Sequence, residues 1–361
     1  MSRPNKKFIT VSWKPGREPV DDMFWCEAEV EGAWTTITSI DRLRTRREIV
    51  ERITQLEQAT IGFDFGFSYP KAFLDFLATE GIDSTWQAIA KKVREELKKN
   101  TDDGVRLWID RMGRYREAHL ESEASANHFI PASRDGRRNY RPEPLQPYER
   151  RSLAERFRRI DLVLKRKYPE AIASVLGIRY NKLTTRYEFG DSERRGRATL
   201  LGIAMLEQLI EAKPDISIWP FMKPSAVTVV EIFPRLFANK IDHDAESLRK
   251  FFDTEEDNGL FVAREVRELL YTSAPSLEIF LALIGMIKAE SREDKSLRPI
   301  RDYRDYFYEN TEVMAEGWSY GIGFKETEKQ AKAIQEPAAL ATEEVTGIVT
   351  EQTPGEAPLA A

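Results

Sequence analysis

The order of strand-like and helical segments at the start of the chain constrains its fold most strongly. Three segments rich in β-branched and aromatic residues, at 8–13, 23–30 and 33–38, are separated by turn residues and predict an antiparallel meander. Residues 47–59 then place apolar side chains at helical spacing, and an apolar fourth strand carrying Asp64 follows. A helix between two strands of one sheet brings them parallel. We therefore expect an α/β protein with a mixed sheet, in which the fourth strand runs parallel to the first.

The fourth strand places one carboxylate inside an apolar run. Asp64 lies between Phe63 and Phe65 in the stretch IGFDFGFSYP, residues 61–70. An ionised Asp in such surroundings is costly unless a cation, a metal ion or backbone donors stabilise it. Two interpretations follow: Asp64 belongs to a functional site, or it accepts hydrogen bonds from loop amides at the end of a strand.

The rest of the chain is predicted to be mostly helical, so that helices flank the sheet. Helical patterns cover 70–99, 102–120, 199–212, 245–271 and 277–289, and further strands are expected at 216–220 and 227–234. We expect one domain over 1–325, with an inserted helical and basic-loop region at about 71–185. Residues 326–361 are rich in Ala, Glu, Thr and Pro and predict a disordered acidic tail.

Composition excludes several classes of protein. The one cysteine, Cys26, excludes an intramolecular disulfide framework, and three scattered histidines exclude a Cys/His zinc cluster of ordinary spacing. No stretch approaches the ~18 apolar residues of a membrane span. We expect a cytoplasmic protein without membrane contact, and the sequence does not indicate its oligomeric state. The net charge of -5 means that nucleic acid would have to bind at a local basic patch.

Such a patch is predicted between residues 129 and 159, where prolines interrupt a basic run. Its candidate phosphate-binding residues are Arg134, Arg137, Arg138, Arg158 and Arg159. The alternative is a solvated basic surface that contacts nothing, which is common for charge runs. If this segment is functional, nucleic acid is the partner that we expect at residues 134–159.

Three carboxylates next to apolar segments form the candidate catalytic and metal site. Asp64 and Glu231 lie near the ends of strands, and Glu278 lies near the start of a late helix. Carboxylates that converge at one end of a sheet suit Mg²⁺ or Mn²⁺, which prefer oxygen ligands and support phosphodiester cleavage. For Glu231 the alternative is an ion pair with Arg235 or with an arginine of the basic segment.

The stretch around Asp64 also resembles a known family. Residues 61–70 are similar to a conserved segment in a bacterial branch of domain-of-unknown-function family 429, whose members are predicted nucleases of the ribonuclease H-like superfamily. The segments IWPF at 218–221 and VVEIFPRL at 229–236 are similar to two others, in the same order. Shorter similarities occur at 157–159, 187–190 and 316–318, and the resemblance covers roughly residues 8–322.

The resemblance implies a ribonuclease H-like mixed sheet and a metal-dependent hydrolase acting on phosphodiester bonds, with Asp64, Glu231 and Glu278 as its site. Members of the branch carry an aspartate where this chain has Ser12, and a pair of aspartates where it has Pro275 and Glu278. Because two-metal hydrolysis needs several carboxylates, these departures predict an incomplete site. We expect a nuclease-like protein; the alternative is a non-catalytic binding or scaffold protein on the same fold.

Overall fold

The computed structural model describes residues 6–15, 18–21, 23–119, 157–167, 178–181, 186–189, 195–238, 244–293, 296–303 and 305–323. Contacts divide the chain into the units Met1–Ile322 and Gly323–Ala361, and the fold below is that of the first unit. Arg134, Arg137 and Arg138, the segment 129–150 around them and the tail predicted from 326 lie outside the described residues.

The strands are β1 (Lys6–Val11), β2 (Met23–Glu31), β3 (Trp34–Leu43), β4 (Ala59–Phe63), β5 (Ile178–Asn181), β6 (Arg186–Phe189), β7 (Ser217–Ile218), β8 (Val227–Glu231) and β9 (Leu260–Val262). The α-helices are α1 (Arg46–Thr54), α2 (Lys71–Thr79), α3 (Trp86–Lys99), α4 (Thr101–His119), α5 (Arg159–Lys167), α6 (Arg195–Ala212), α7 (Pro234–Ala238), α8 (Ala245–Asp257), α9 (Arg264–Thr272), α10 (Ala274–Ser291), α11 (Asp305–Tyr308) and α12 (Thr311–Glu316). A single 3₁₀ turn, Ile300–Asp302, precedes α11. None of the described helices combines the length and the apolar character needed to cross a bilayer.

Seven of these strands form one mixed sheet in the order β7-β8-β4-β1-β2-β3-β9. The first three strands pair as an antiparallel meander, whereas β4 is parallel to β1 and to β8. The expected mixed sheet, with its meander and its parallel fourth strand, is confirmed. The small hairpin β5-β6 forms a separate sheet.

The prediction of one helical segment over 245–271 is wrong. Helix α8 ends before Asn258, and strand β9 pairs in parallel with β3 before α9 begins. Gly259 adopts a φ of 90°, and a Cβ there would lie 2.7 Å from the carbonyl oxygen of Ala33. Only glycine fits this turn, which brings the chain back to the edge of the sheet.

Side chains of the central strands alternate between two faces, each covered by helices. On one face, Thr10 donates a hydrogen bond to the carbonyl of Ile279 in α10, and Gly62 lies against Met286 of the same helix. We call this the α10 face. On the other face, the side chains of Ile61 and Phe63 join a large apolar core with helices α1, α2, α3, α4 and α6. We call this the α6 face.

Candidate functional site

Asp64 lies directly after β4, at the end of the sheet where the parallel strand β1 also finishes. The backbone N–H of Trp13 donates a hydrogen bond of 2.6 Å to its Oδ1 atom. Desolvation raises the pKa of Asp64 to about 7, although the Trp13 hydrogen bond and the charge of Lys14 act in the opposite direction. The negative charge of Glu278 is a smaller cause that also raises the pKa of Asp64.

Glu278 and Ser12 lie on the same face of the sheet as Asp64. Glu278 is in the second turn of α10 and is partly exposed, like Asp64. Ser12 lies two residues after Thr10, so its side chain faces the same side of the sheet as that of Thr10, which contacts α10. The side chain of Ser12 is buried. Asp64, Glu278 and Ser12 therefore all lie on the α10 face.

Glu231 lies on the opposite face. It pairs in register with Phe63, which belongs to the α6 face, at the last position of β8. Its Oε2 atom accepts hydrogen bonds from the backbone N–H of Phe67 at 2.8 Å and from Arg158 Nη1 at 2.6 Å. Its Oε1 atom accepts from Arg158 Nη2 at 2.7 Å and from Ser319 Oγ at 3.0 Å. These four bonds occupy the lone pairs of the carboxylate, so none is left for a metal ion in this structure.

Glu231 therefore forms an ion pair, as its second interpretation expected, and its partner is Arg158. It does not bring Asp64, Glu231 and Glu278 together, because register and alternation direct Glu231 away from the other two acids. Among the described residues, no group of three or more His, Cys, Asp or Glu side chains is arranged to hold a metal ion. The candidate site is thus reduced from three carboxylates to the pair Asp64 and Glu278.

Arg158 is the centre of a buried ionic network. Its guanidinium is fully buried and bonds Asp161 through Nε and Nη2, both at 3.0 Å, in addition to its two bonds to Glu231. Desolvation lowers the pKa of Arg158, but the charges of Asp161 and Glu231 outweigh it and raise the pKa well above its ordinary value. Arg158 consequently joins the start of α5 to the end of β8 and is not exposed to a phosphate group.

Arg159 makes different contacts. Its side chain is partly exposed and forms an ion pair with Glu312, and its backbone N–H donates to Glu316. Of the five arginines predicted to bind phosphate, the structure describes only Arg158 and Arg159, and it pairs both with carboxylates.

Glu316, a buried carboxylate at the end of α12, was not predicted as a site residue from the sequence. Glu316 accepts the backbone N–H of Lys71 at 2.7 Å and that of Arg159 at 2.7 Å, which are the first residues of α2 and α5. One carboxylate thus caps the N-termini of two helices. Desolvation raises the pKa of Glu316 to about 7, although both hydrogen bonds act to lower it. The sequence signal was Pro70, which precedes α2 and offers no side-chain cap, so an acceptor from elsewhere was needed.

Comparison of the chain with protein-family models, with curated proteins and with solved structures finds no significant match. The class of the protein is therefore described by its fold and its site alone. It is an α/β protein with a seven-stranded mixed sheet among its described residues, in which Asp64 directly follows β4 and Glu278 lies in α10 on the same face of the sheet.

Proposed function

We propose that this chain is a ribonuclease H-like protein of the nuclease type that holds one Mg²⁺ or Mn²⁺ ion at Asp64 and Glu278 and acts on phosphodiester bonds. The antiparallel meander joined to parallel strands supports the ribonuclease H-like assignment. The placement of Asp64 directly after β4 and of Glu278 in the second turn of α10, on the same face of the sheet, carries the proposal. Ligands of open α/β sheets bind at this end of the strands.

The donor set fits one hard divalent cation. Mg²⁺ is commonly bound through one or two carboxylates, with water and substrate phosphate oxygens completing its coordination. When bound, such an ion polarises a phosphoryl oxygen and lowers the pKa of water. Asp64 and Glu278 repel each other without a cation, so a positive charge between them would stabilise both ionised groups. With Glu231 in its ion pair, two carboxylates are too few for the usual two-metal site.

Isothermal titration calorimetry with Mn²⁺ tests the proposal. We expect saturable binding to the wild-type chain, no binding to Asp64→Asn, and binding weakened at least about tenfold in Glu278→Gln. Glu265→Gln, which removes an exposed carboxylate of α9, is the matched control and should bind as the wild type does. Cleavage of single-stranded and duplex oligonucleotides with Mn²⁺, compared with the Asp64→Asn protein, tests the activity.

A second candidate function is a non-catalytic binding or scaffold protein on the same fold. Ser12 at the position of the expected acid and Glu231 within the Arg158 network favour it. On this alternative the wild-type chain shows no saturable Mn²⁺ binding and no cleavage. That result would contradict the proposal that the chain is a metal-dependent nuclease.

A further inference from the structure

A cavity of about 550 Å³ lies between strands β2 and β3 and the chain where α9 ends and α10 begins. Five of its described lining residues are apolar: Phe24, Ile40, Leu269, Ala274 and Pro275. The polar ones are Arg42, Thr272 and Ser273. This size, with mostly apolar walls and a few polar groups, is typical of small-molecule sites.

The strand residues that line this cavity face α10. Thr10, which contacts α10, pairs in register with Cys26, so both side chains lie on the α10 face. Phe24 lies two residues from Cys26 and therefore faces the same side. Arg42 and Ile40 pair with Phe24 and Cys26. The cavity thus opens on the face of the sheet that also carries Asp64 and Glu278.

The cavity can be reached from solvent. Phe24 is almost completely buried, but Ile40 and Leu269 are partly exposed, and Thr272 and Ala274 are exposed. Apolar side chains that keep some contact with water gain free energy when a ligand covers them. A ligand can therefore reach the apolar walls without displacing a buried side chain.

The cavity adjoins both carboxylates of the proposed metal site. The backbone N–H of Ser12 donates to the carbonyl of Phe24 at 2.9 Å, and the backbone N–H of the next residue donates to Asp64. On α10, Pro275 lines the cavity, and Glu278 follows three residues later on the same side of the helix. The end of β1 and the start of α10 therefore each connect the cavity with one carboxylate.

The charges at the cavity suit an anionic ligand. Its described lining contains one cation, Arg42, and no carboxylate. Arg42 forms a 3.3 Å ion pair with Asp21, in which the two side chains are 49% and 89% exposed. Exposed pairs of this kind contribute little. Arg42 therefore adds a favourable charge for a nearby phosphate, while the apolar walls decide which group enters the cavity.

We infer that this cavity binds one unpaired nucleobase of a single-stranded nucleic acid whose backbone passes Asp64 and Glu278. A base presents flat apolar faces to the walls, and its polar edge can hydrogen-bond to hydroxyl groups. A base inside a duplex is stacked and paired, so it would have to leave the duplex to enter. That the ligand is a nucleic acid rests on the proposed function, which the cavity would restrict to unpaired strands.

Fluorescence anisotropy in EDTA tests the cavity with two labelled strands: an oligodeoxythymidylate and an abasic strand with the same number of phosphates. The wild type should bind the thymidylate strand at least about tenfold more tightly, because contact of one base with protein side chains is worth that much. Ala274→Phe fills the cavity from an exposed position. It should bind the thymidylate strand about tenfold more weakly than the wild type does, and the abasic strand equally well.

Thr272→Phe fills the same cavity from a second exposed position and should behave in the same way. Ala78→Phe is the matched control, because it adds the same side chain at an exposed residue of α2 that does not line the cavity. It should leave both affinities unchanged. Urea unfolding of the three variants checks that each is folded.

Equal affinity of the wild type for the two strands would overturn the inference, as would no binding of either. Thymidylate affinity that is unchanged in both Ala274→Phe and Thr272→Phe, or equally reduced in Ala78→Phe, would also overturn it. Displacement of the strand by thymidine 5′-monophosphate at the same concentration as unlabelled strand would reject a strand in favour of a free nucleotide.

The two proposals fail separately, because this assay contains no metal ion. Base-dependent binding that Ala274→Phe abolishes, together with a flat Mn²⁺ titration, would retain the base cavity and reject the metal site. Saturable Mn²⁺ binding with equal affinity for the thymidylate and abasic strands would reject the base cavity alone.

Discussion

Replacing Glu231 with glutamine tests whether the Glu231 carboxylate stabilises the fold or binds a metal ion. In the structure, Glu231 accepts four hydrogen bonds, two of them from Arg158, which is fully buried. Glutamine keeps the size of the side chain but removes its charge, and its amide group donates where Glu231 accepts. Arg158 would then rely on Asp161 for its charge compensation.

The expected cost follows from these contacts. Breaking a buried ion pair by neutralising one partner typically costs about 3–5 kcal/mol, because the remaining charge is left uncompensated. Each buried donor that faces the glutamine amide adds about 1–3 kcal/mol, but Asp161 continues to bond Arg158 and limits the loss. We expect Glu231→Gln to lower the free energy of unfolding by about 3–5 kcal/mol, a large part of the ~5–15 kcal/mol of a typical domain.

Urea unfolding in EDTA, followed by tryptophan fluorescence, measures this change. The midpoint should fall while the m-value stays constant. Glu278→Gln is the control: it removes a partly exposed carboxylate that repels Asp64, so it should change stability by less than about 1 kcal/mol. A Glu231→Gln protein as stable as the wild type in EDTA, or one that loses stability only relative to a Mg²⁺-loaded wild type, would refute the reasoning.

Two further predictions concern Glu316 and Gly202. Because the Glu316 pKa is raised from 4.5 to about 7 in the folded chain, the folded state binds more protons than the unfolded state between these values, and this residue makes stability fall as pH rises through that window. Urea unfolding from about pH 5 to about pH 8 should therefore show a smaller decrease in Glu316→Gln than in the wild type, and parallel curves would contradict the assignment. Gly202→Ala should cost about 1–3 kcal/mol, because the added Cβ would collide with the Phe65 ring. An unchanged unfolding midpoint would mean that α6 does not pack on Phe65 this closely.

The first half of the sheet could be predicted because its signals are local. The first three strands are rich in β-branched and aromatic residues, β4 is an apolar run, and one amphipathic helix lies between β3 and β4, so the order and direction of these strands follow from the chain alone. Strand β9 was missed because three residues between two charged helices carry almost no periodic signal. The Asn258–Gly259 pair was the available clue, since such pairs favour turns.

The site was predicted less well than the fold because it depends on register. Asp64 and Glu231 both lie near the ends of apolar strands and look equivalent in sequence, yet the pairing of Glu231 with Phe63 directs them to opposite faces. Alternation decides the face only after the register is known. Arg158 was assigned to phosphate because it lies in a basic run. The Asp161 three residues later, where α5 begins, was the local sign of a paired arginine.

The double cap at Glu316 also bears on how this chain can vary in length. Helices α2 and α5 both begin at this carboxylate, so the chain leaves the sheet region at Lys71 and returns to the same point at Arg159. The entropy of closing a chain between two fixed points grows only with the logarithm of the number of residues between them. A change in the number of residues between Lys71 and Arg159 should therefore cost less than loss of the Glu316 carboxylate, which holds the first turns of both helices at one place.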